Sequence, residues 1–268
     1  MAPVDSSFLI QEDFAIYRDK SKQFMSSHQL ADFRKCPALW RRKNEGVIPA
    51  VKSESFSFGS AAHTLILEGK QKFENDFAVG GPINPKTGKE YGADTAAYSE
   101  WLFKQSKPQA VTTADAKKLE IMRASVLMHK DASKILSGGM AERVCRSSVN
   151  GVASQARIDW FNTDGIADLK TCADLSYFEE DIKRYGYLHQ MAFYVQVLVQ
   201  HMTSVFTLPA HLIAVEKNEP YRTGVFKISE DALRECASEN AAALARFKQC
   251  KEANYFPTDF EDIRFITN

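Results

Sequence analysis

Three strand-like runs joined by two tight turns constrain the fold of this chain more than any other feature. The runs RVCRSSV, VASQARIDWF and GIADLKT are separated by Asn-Gly at residues 150–151 and by NTDG at residues 162–165. Runs rich in β-branched and aromatic residues that are bounded by such turns are typical of strands joined by hairpins. The pattern predicts an antiparallel meander.

The second turn sets the register of two of these strands. If NTDG is a four-residue loop, Phe161 pairs with Ile166, and counting back along the ladder places Asp159 directly opposite Asp168. Directly opposed like charges, with Cβ atoms about 5 Å apart, are destabilising. A folded protein accommodates them when a divalent cation lies between them or when one carboxylate binds a proton.

Strand alternation adds a lysine to this pair of carboxylates. It places Asp168 and Lys170 on one face of their strand, and it points Ile158 and Trp160 away from Asp159. The charged groups then converge on one patch, where oxygens can hold Mg²⁺ and an amine can hold or polarise a water molecule. An Asp-x-Lys tripeptide alone is more often part of a solvated face. The hypothesis of a metal site therefore depends on the opposed Asp159.

Helical patterns flank the meander on both sides. Pro37 breaks one helical stretch near the start of the chain, and the helix that ends at Gly69 is expected to be capped near Ser57 or Ser60. We predict helices over about 56–69, 93–106, 113–136 with a cap at Thr113, 175–202 with a break near Gly186, and 229–253, and two further strands over 210–217 and 224–228. This order predicts an α/β (α+β) fold with a central mixed β-sheet.

Length and composition favour one large domain. The 268 residues are 44% hydrophobic, which is enough for a substantial core. Residues 1–25 lack a sustained period and are expected to form an N-terminal arm, and residues 26–268 to form a single domain. The five cysteines are scattered and odd in number, which argues against a disulfide framework and a zinc site. Without a recognisable signal peptide, a reducing cytoplasm fits best.

The charge balance limits where nucleic acid could bind. The 34 basic and 34 acidic residues cancel, so any contact with DNA must come from a local patch. The densest basic run offers the candidate DNA-binding residues Arg34, Lys35, Arg41 and Arg42, followed by Lys43. These side chains could grip a DNA backbone. A solvated charged face is an equally good interpretation of the run.

Two further features lie outside the meander. Tyr187, Gln190 and Tyr194 share one face of a helix at spacings i, i+3 and i+7, and they form a polar stripe that is unusual for a core face. His63 lies in the apolar helix that ends at Gly69. Taken alone, the stripe would more often be ordinary helix surface, and a lone histidine would more often be a hydrogen-bonded structural residue.

Taken together, these residues resemble a known family. The stretch RIDWFNTDGIADLKT followed by YGYLHQMAFY resembles the D…DxK core and QxxxY helix of PD-(D/E)XK nucleases, specifically the exonuclease VIII (RecE-type), lambda-exonuclease-like group. The stretches SSHQLADFRKCPALW, GSAAHTLILEG and AVEKNEPY agree with that group, so the resemblance covers roughly residues 25–230. It implies a restriction-endonuclease-like core.

The resemblance also implies roles for individual residues. The implied metal ligands are His63, Asp159, Asp168 and the backbone carbonyl of Leu169. The implied catalytic residues are Asp159, Asp168, Lys170, Gln190 and Tyr194. In this assignment Lys170 positions or activates the attacking water, while Gln190 and Tyr194 order the lysine and the scissile phosphate. Glu142 matches an acidic position common in such nucleases and is an additional candidate.

At the level of function, the resemblance implies a Mg²⁺-dependent exodeoxyribonuclease, in which Mn²⁺ can replace Mg²⁺. It would degrade linear double-stranded DNA from 5′ to 3′ and generate single-stranded DNA for recombination, in the cytoplasm of a bacterial or phage-infected cell. The implied partners are duplex DNA ends, a single-strand annealing protein and further copies of the chain in a ring-shaped homo-oligomer. Cys236 and Cys250 lack the tight spacing of an iron–sulfur cluster, so none is expected.

Three alternatives remain open from the sequence. The chain could be an endonuclease or a single-strand nuclease of the same fold. It could be a catalytically silent DNA-binding protein. It could also be a structural domain in which Asp159, Asp168 and Lys170 form an ion-pair network.

Overall fold

A mixed β-sheet with helices on both faces forms the centre of the protein. The computed structural model describes residues 7–49, 54–202 and 207–265. The strands in this part of the chain are β1 (Ile10–Gln11), β2 (Phe77–Val79), β3 (Gln109–Val111), β4 (Met140–Val149), β5 (Val152–Asn162), β6 (Gly165–Cys172), β7 (Ala210–Glu216) and β8 (Thr223–Ile228). The central sheet has the order β1-β4-β5-β6-β7-β8, in which only β6 and β7 run parallel, and β2 pairs with β3 in a small separate sheet.

The helices follow the predicted order closely. Those in the described residues are α1 (Phe14–Asp19), α2 (Ser27–Lys35), α3 (Pro37–Asn44), α4 (Glu54–His63), α5 (Lys70–Asp76), α6 (Ala96–Gln105), α7 (Thr113–Met128), α8 (Lys130–Ile135), α9 (Phe178–Arg184), α10 (Tyr187–Val199) and α11 (Glu230–Ala253). None of them is long and apolar enough to cross a membrane. The predicted α/β fold with a central mixed sheet and an antiparallel meander, β4–β5–β6, is confirmed. The parallel step from β6 to β7 is made through α9 and α10, as parallel pairing requires a crossover.

Several predicted boundaries are wrong for local reasons. The helix expected to be capped near Ser57 or Ser60 begins at Glu54, so both serines lie inside it, and a π-helical turn (Thr64–Glu68) follows it. The cap of α7 is Thr112 rather than Thr113, because the Thr112 hydroxyl accepts the hydrogen bond from the Asp115 N–H. The helix expected over 113–136 is broken at His129, whose ring caps α8.

The N-terminal segment is more regular than its sequence suggests. Within residues 7–25, β1 pairs antiparallel with β4, and α1 follows it. Ion pairs join Glu12 to Arg146 of β4 and to Lys20. The division into an arm and a domain at residue 26 stays a prediction, but the described part of the segment is in contact with the central sheet.

The sheet separates two apolar clusters. One lies under α2, α10 and α11 and contains Phe33, Phe193 and Phe247, and the other lies under α4 and α7 and contains Leu119 and Met122. Strand alternation distributes the central strands between them. On β7, for example, alternate residues from Leu212 to Val215 belong to the first and the second cluster in turn.

The ladder between β5 and β6 is short. Phe161 pairs with Ile166, as predicted, but regular pairing ends with Trp160 and Ala167, one position before the two aspartates. Beyond that point β5 continues its pairing with β4, and β6 continues its pairing with β7. The sheet therefore opens between β5 and β6 at the level of Asp159 and Asp168.

A second irregularity lies on the other side of β5. The β4–β5 ladder pairs Ala141 with Trp160 and Arg143 with Ile158, but the intervening position, Glu142 with Asp159, is missing from it. Glu142 has a φ of +53°. As a result Ile158 is buried in the first cluster whereas Trp160 packs against the second. The expectation that these two side chains share a face is wrong, because alternation is interrupted at Asp159.

Candidate functional site

Three metal-ligating side chains converge where the sheet opens. The Nδ1 atom of His63, the last residue of α4, lies 3.4 Å from Oδ2 of Asp159 and 3.5 Å from Oε1 of Glu142. Among the residues that the structure describes, this is the one group of three or more histidine, cysteine or acidic side chains whose ligand atoms all lie within 4.8 Å of one another. The three come from α4, β4 and β5, and the break in strand alternation lets two strands contribute to one point.

A second cluster lies beside the first. The ammonium of Lys170 lies 2.5 Å from Oδ2 of Asp168 and 4.7 Å above the ring of Tyr187. The side-chain amide of Gln190 donates to Oδ1 of Asp168 at 3.2 Å and to the hydroxyl of Tyr194 at 2.8 Å. The predicted polar stripe of α10 thus contacts the Asp-x-Lys strand, and the structure brings all five predicted catalytic residues into one neighbourhood.

Burial and like charge shift the titration of this site. Burial, and after it the charge of Asp168, raise the pKa of Asp159 to about 7. Burial alone would lower the pKa of His63, but the neighbouring Asp159 and Glu142 outweigh it and raise that pKa to about 9. The same balance raises the pKa of Lys170, because Asp168 and Asp159 outweigh its burial. Three largely buried carboxylates, those of Glu142, Asp159 and Asp168, thus lie close together, and such a cluster of acidic oxygens favours a divalent cation.

The donor set fits such an ion. Ligands of an octahedral Mg²⁺ at about 2.1 Å lie about 3 Å apart, close to the spacing between His63 Nδ1 and the two carboxylate oxygens. Carboxylates suit Mg²⁺ and Mn²⁺, and an imidazole nitrogen is a ligand of the later first-row metals. Asp168 lies outside the converging set, because both of its oxygens face Lys170 and Gln190.

The backbone of Leu169 faces the same opening. Its N–H donates to Oδ2 of Asp159 at 2.8 Å. In an extended strand the N–H and the carbonyl of one residue point to the same side, as the exchange of both bonds in an antiparallel pair shows. The Leu169 carbonyl is therefore directed toward the opening, and its role as a metal ligand stays a prediction.

Comparison with known proteins assigns the chain to a family. The model of a family described as a PDDEXK-like domain of unknown function (DUF3799) matches residues 26–268. The chain belongs to this family. The crystal structure of a protein described as a putative exonuclease from Eubacterium rectale has the same fold, with a TM-score of 0.68 and 16% sequence identity, covering 97% of this chain and 96% of that one. Comparison with curated proteins yields no match.

The predicted DNA-binding residues of this PDDEXK-like domain fall into two kinds. Arg34 donates to the Asn240 side chain at 2.8 Å, and Arg41 donates to Glu45 at 2.8 Å and to the Asn254 carbonyl. These two arginines have intramolecular partners for some of their donors. Lys35 and Arg42 are exposed, so their contact with DNA stays a prediction.

The structure adds one residue, Arg157, to those that the sequence of this PDDEXK-like domain pointed to. Arg157 of β5 donates from Nε to Oε2 of Glu142 at 2.6 Å. A usable signal was present, because Arg157 precedes Asp159 by two positions in the same strand run. Within the AVEKNEPY stretch, the Glu216 carboxylate accepts hydrogen bonds from Arg222 and from the Leu175 N–H, and these bonds lower its pKa to about 2.

Proposed function

We propose that this PDDEXK-like domain is a Mg²⁺-dependent exodeoxyribonuclease that degrades linear double-stranded DNA from 5′ to 3′. The single strand that remains would serve recombination. One observation carries the proposal: His63, Glu142 and Asp159 converge beside the Asp168–Lys170 ion pair at an opening in the sheet. The fold-level match to a protein described as a putative exonuclease agrees with it. The direction of digestion and the link to recombination rest on the sequence resemblance.

In phosphodiester hydrolysis, one set of groups would bind the metal and Lys170 would position the attacking water. His63, Glu142, Asp159 and the Leu169 carbonyl would hold Mg²⁺, or Mn²⁺ in its place, and the ion would supply a Lewis acid for the water and for the phosphoryl oxygen. The raised pKa of Lys170 keeps its ammonium protonated. Lys170 therefore acts as a cation and donor that positions the attacking water and stabilises negative charge on the phosphoryl group.

Lys170 in turn is held from two sides. Asp168 fixes the position of its Nζ, and the Tyr187 ring lies beneath the ammonium. Gln190 keeps Asp168 in place and is itself held by the Tyr194 hydroxyl. In hydrolysis the water oxygen bonds to phosphorus and the water gives up one proton, while the bond to the leaving oxygen breaks and that oxygen takes up one proton, so the protons balance.

Substrate topology tests the exonuclease proposal. Purified protein with Mg²⁺ is incubated with a linear duplex labelled at the 5′ or the 3′ end, with a covalently closed circle of the same sequence, and with the single strand. A 5′ to 3′ exonuclease releases the 5′ label early and leaves the circle intact. Cutting of the circle would identify an endonuclease, cleavage of the single strand alone would identify a single-strand nuclease, and binding without cleavage would identify a silent DNA-binding protein.

The proposal extends to the assembly of the protein. A ring-shaped homo-oligomer around DNA and a single-strand annealing partner, in the cytoplasm of a bacterial or phage-infected cell, are what the sequence resemblance supports. Analytical ultracentrifugation tests the ring, which requires a defined oligomer of three or more copies. A monomer at all concentrations would remove the ring from the proposal and would leave the chemistry untouched.

A further inference from the structure

A largely buried arginine joins the candidate metal site to the N-terminal segment, residues 7–25. The side chain of Arg157 is 18% exposed and that of Glu142 is 11% exposed. Arg157 donates from Nε to Oε2 of Glu142 at 2.6 Å and from Nη1 to the carbonyl oxygen of Glu12 at 2.9 Å. Its guanidinium also lies 5.5 Å from the centre of the Phe14 ring. One planar group thus contacts both a candidate ligand and the segment.

The two oxygens of Glu142 have different partners. Oε1 lies 3.5 Å from His63 Nδ1, on the side where the candidate ligands converge, whereas Oε2 accepts the bond from Arg157. A guanidinium is a rigid donor fork, so it fixes the orientation of a carboxylate in a way that a flexible ammonium does not. Arg157 therefore leaves one oxygen of Glu142 directed toward His63.

Glu142 needs such support because of its backbone. Its φ of +53° is a conformation that residues other than glycine rarely adopt, and it interrupts the ladder between β4 and β5. Conformations of this kind persist where the surrounding structure imposes them, and they occur often at functional sites. Among the described residues, the Glu142 side chain forms ion pairs with Arg157 and His63.

The N-terminal segment holds the other side of the guanidinium. The Glu12 carboxylate pairs with Arg146 of β4 and, at 2.7 Å, with Lys20. The Gln155 side chain on β5 donates to the Tyr17 carbonyl at 3.1 Å. These bonds fix the chain on both sides of Phe14, so the Glu12 carbonyl has a defined position from which it can orient Arg157.

We propose that Arg157 is a positioning residue for the metal site, and that the N-terminal segment completes that site by bracing Arg157. The segment precedes residue 26, where the match to the family model begins. The inference rests on the proposed function in one respect, since it takes Glu142 as a metal ligand. Residues 7–25, which lie outside the family match, would thus take part in metal binding.

Metal affinity of the full chain tests the proposal without relying on catalysis. Mn²⁺ binding is measured by isothermal titration calorimetry for the wild type and for Arg157→Met, Arg157→Lys, Glu12→Gln and Glu142→Gln. Removing a group that orients a ligand typically weakens metal binding about 10- to 100-fold. We expect such a loss for Arg157→Met, a smaller loss for Arg157→Lys and Glu12→Gln, and no further loss when Arg157→Met is added to Glu142→Gln.

Arg143→Met is the matched control. Arg143 also joins β4 to the N-terminal segment, through a 3.0 Å bond to the Gln11 side chain, and it has no hydrogen bond with Glu142. We expect this variant to bind Mn²⁺ like the wild type. A positioning role also predicts that a high Mn²⁺ concentration restores cleavage by Arg157→Met, with the metal requirement raised and kcat near the wild-type value. A purely structural role would predict no rescue.

The failures of the two proposals are distinguishable. If the wild type binds no Mn²⁺ and cleaves no DNA, the proposed function is wrong. If the wild type binds Mn²⁺ and a folded Arg157→Met binds it equally well, the positioning role is overturned. If Arg157→Met does not fold, Arg157→Lys and Glu12→Gln decide the question, and wild-type affinity in both would overturn the proposal.

Discussion

The Oδ2 atom of Asp159 accepts a 2.8 Å hydrogen bond from the backbone N–H of Leu169. Regular pairing of β5 with β6 ends at Trp160 and Ala167. The Asp159 side chain therefore takes the place of the main-chain acceptor that a continued ladder would have supplied. A buried N–H therefore stays satisfied although the strands separate. The same oxygen lies 3.4 Å from His63 Nδ1. One atom therefore both accepts the hydrogen bond from Leu169 and lies beside another candidate metal ligand.

Asp159→Asn should stabilise the metal-free protein in a pH-dependent way. The raised pKa, about 7 against 3.8, means that the native state keeps a proton that the unfolded state has lost. Above the unfolded value the free energy of unfolding therefore falls as the pH rises toward 7. Asparagine loses no proton and still offers an acceptor to the Leu169 N–H. In EDTA, Tm of the variant minus Tm of the wild type should increase from pH 5 to pH 7.

The matched control for this substitution is Asp164→Asn, in the exposed turn of the same hairpin. Differential scanning calorimetry in EDTA at several pH values measures both differences. A Tm difference for Asp159→Asn that is negative, or that shrinks between pH 5 and pH 7, would contradict the raised pKa of Asp159 and would favour a stabilising ion-pair network.

Gln190→Ala should lower the cleavage rate without a large loss of stability. The substitution removes the donor to Asp168 Oδ1 and the partner of the Tyr194 hydroxyl, and so it loosens the carboxylate that holds Lys170. Removing a residue that orients a ligand or catalytic group in this way typically lowers activity about 10- to 100-fold. Tyr194→Phe, which removes only the hydroxyl, should cost less. Because Tyr194 acts on Asp168 through Gln190, the variant that carries both substitutions should cleave no more slowly than Gln190→Ala. Fully additive losses of rate would argue against this coupling.

Gly165→Ala tests the hairpin that presents the site. Gly165 has a φ of +141°, and a Cβ there would lie 2.2 Å from the Pro209 carbonyl oxygen. That oxygen also accepts a hydrogen bond from Ile166, so the backbone cannot move away freely. We expect a loss of more than about 2 kcal/mol in the free energy of unfolding, measured in urea. Gly59→Ala, inside α4 with open space around it, should instead be neutral or stabilising.

Much of the fold could be predicted because its signals are local. The turns at 150–151 and 162–165 set the meander, and the pairing of Phe161 with Ile166 followed directly from the second turn. The stripe of Tyr187, Gln190 and Tyr194 was also visible, because three positions at helical spacing face one direction. These features depend on neighbours in sequence, and the structure places them as expected.

The remainder depends on contacts between distant residues and on departures from ideal geometry. Strand alternation could not show that Glu142 and Asp159 leave the ladder together, since that break is the exception to the rule. The approach of α4 that brings His63 to Asp159 is set by packing over about 100 residues of sequence, and here only the family resemblance singled out the histidine. The hydrogen bond from Arg157 to the Glu12 carbonyl joins residues 145 positions apart, and no local pattern indicates that contact.

The most direct test of the proposed nuclease mechanism is the release of nucleotides from a 5′-labelled linear duplex, with Mg²⁺ or with EDTA, by the wild type and by Lys170→Ala. This mechanism predicts Mg²⁺-dependent release by the wild type, none in EDTA, and a rate at least about 100-fold lower for a folded Lys170→Ala. Absence of Mg²⁺-dependent release by the wild type, or equal release by the two proteins, would contradict it.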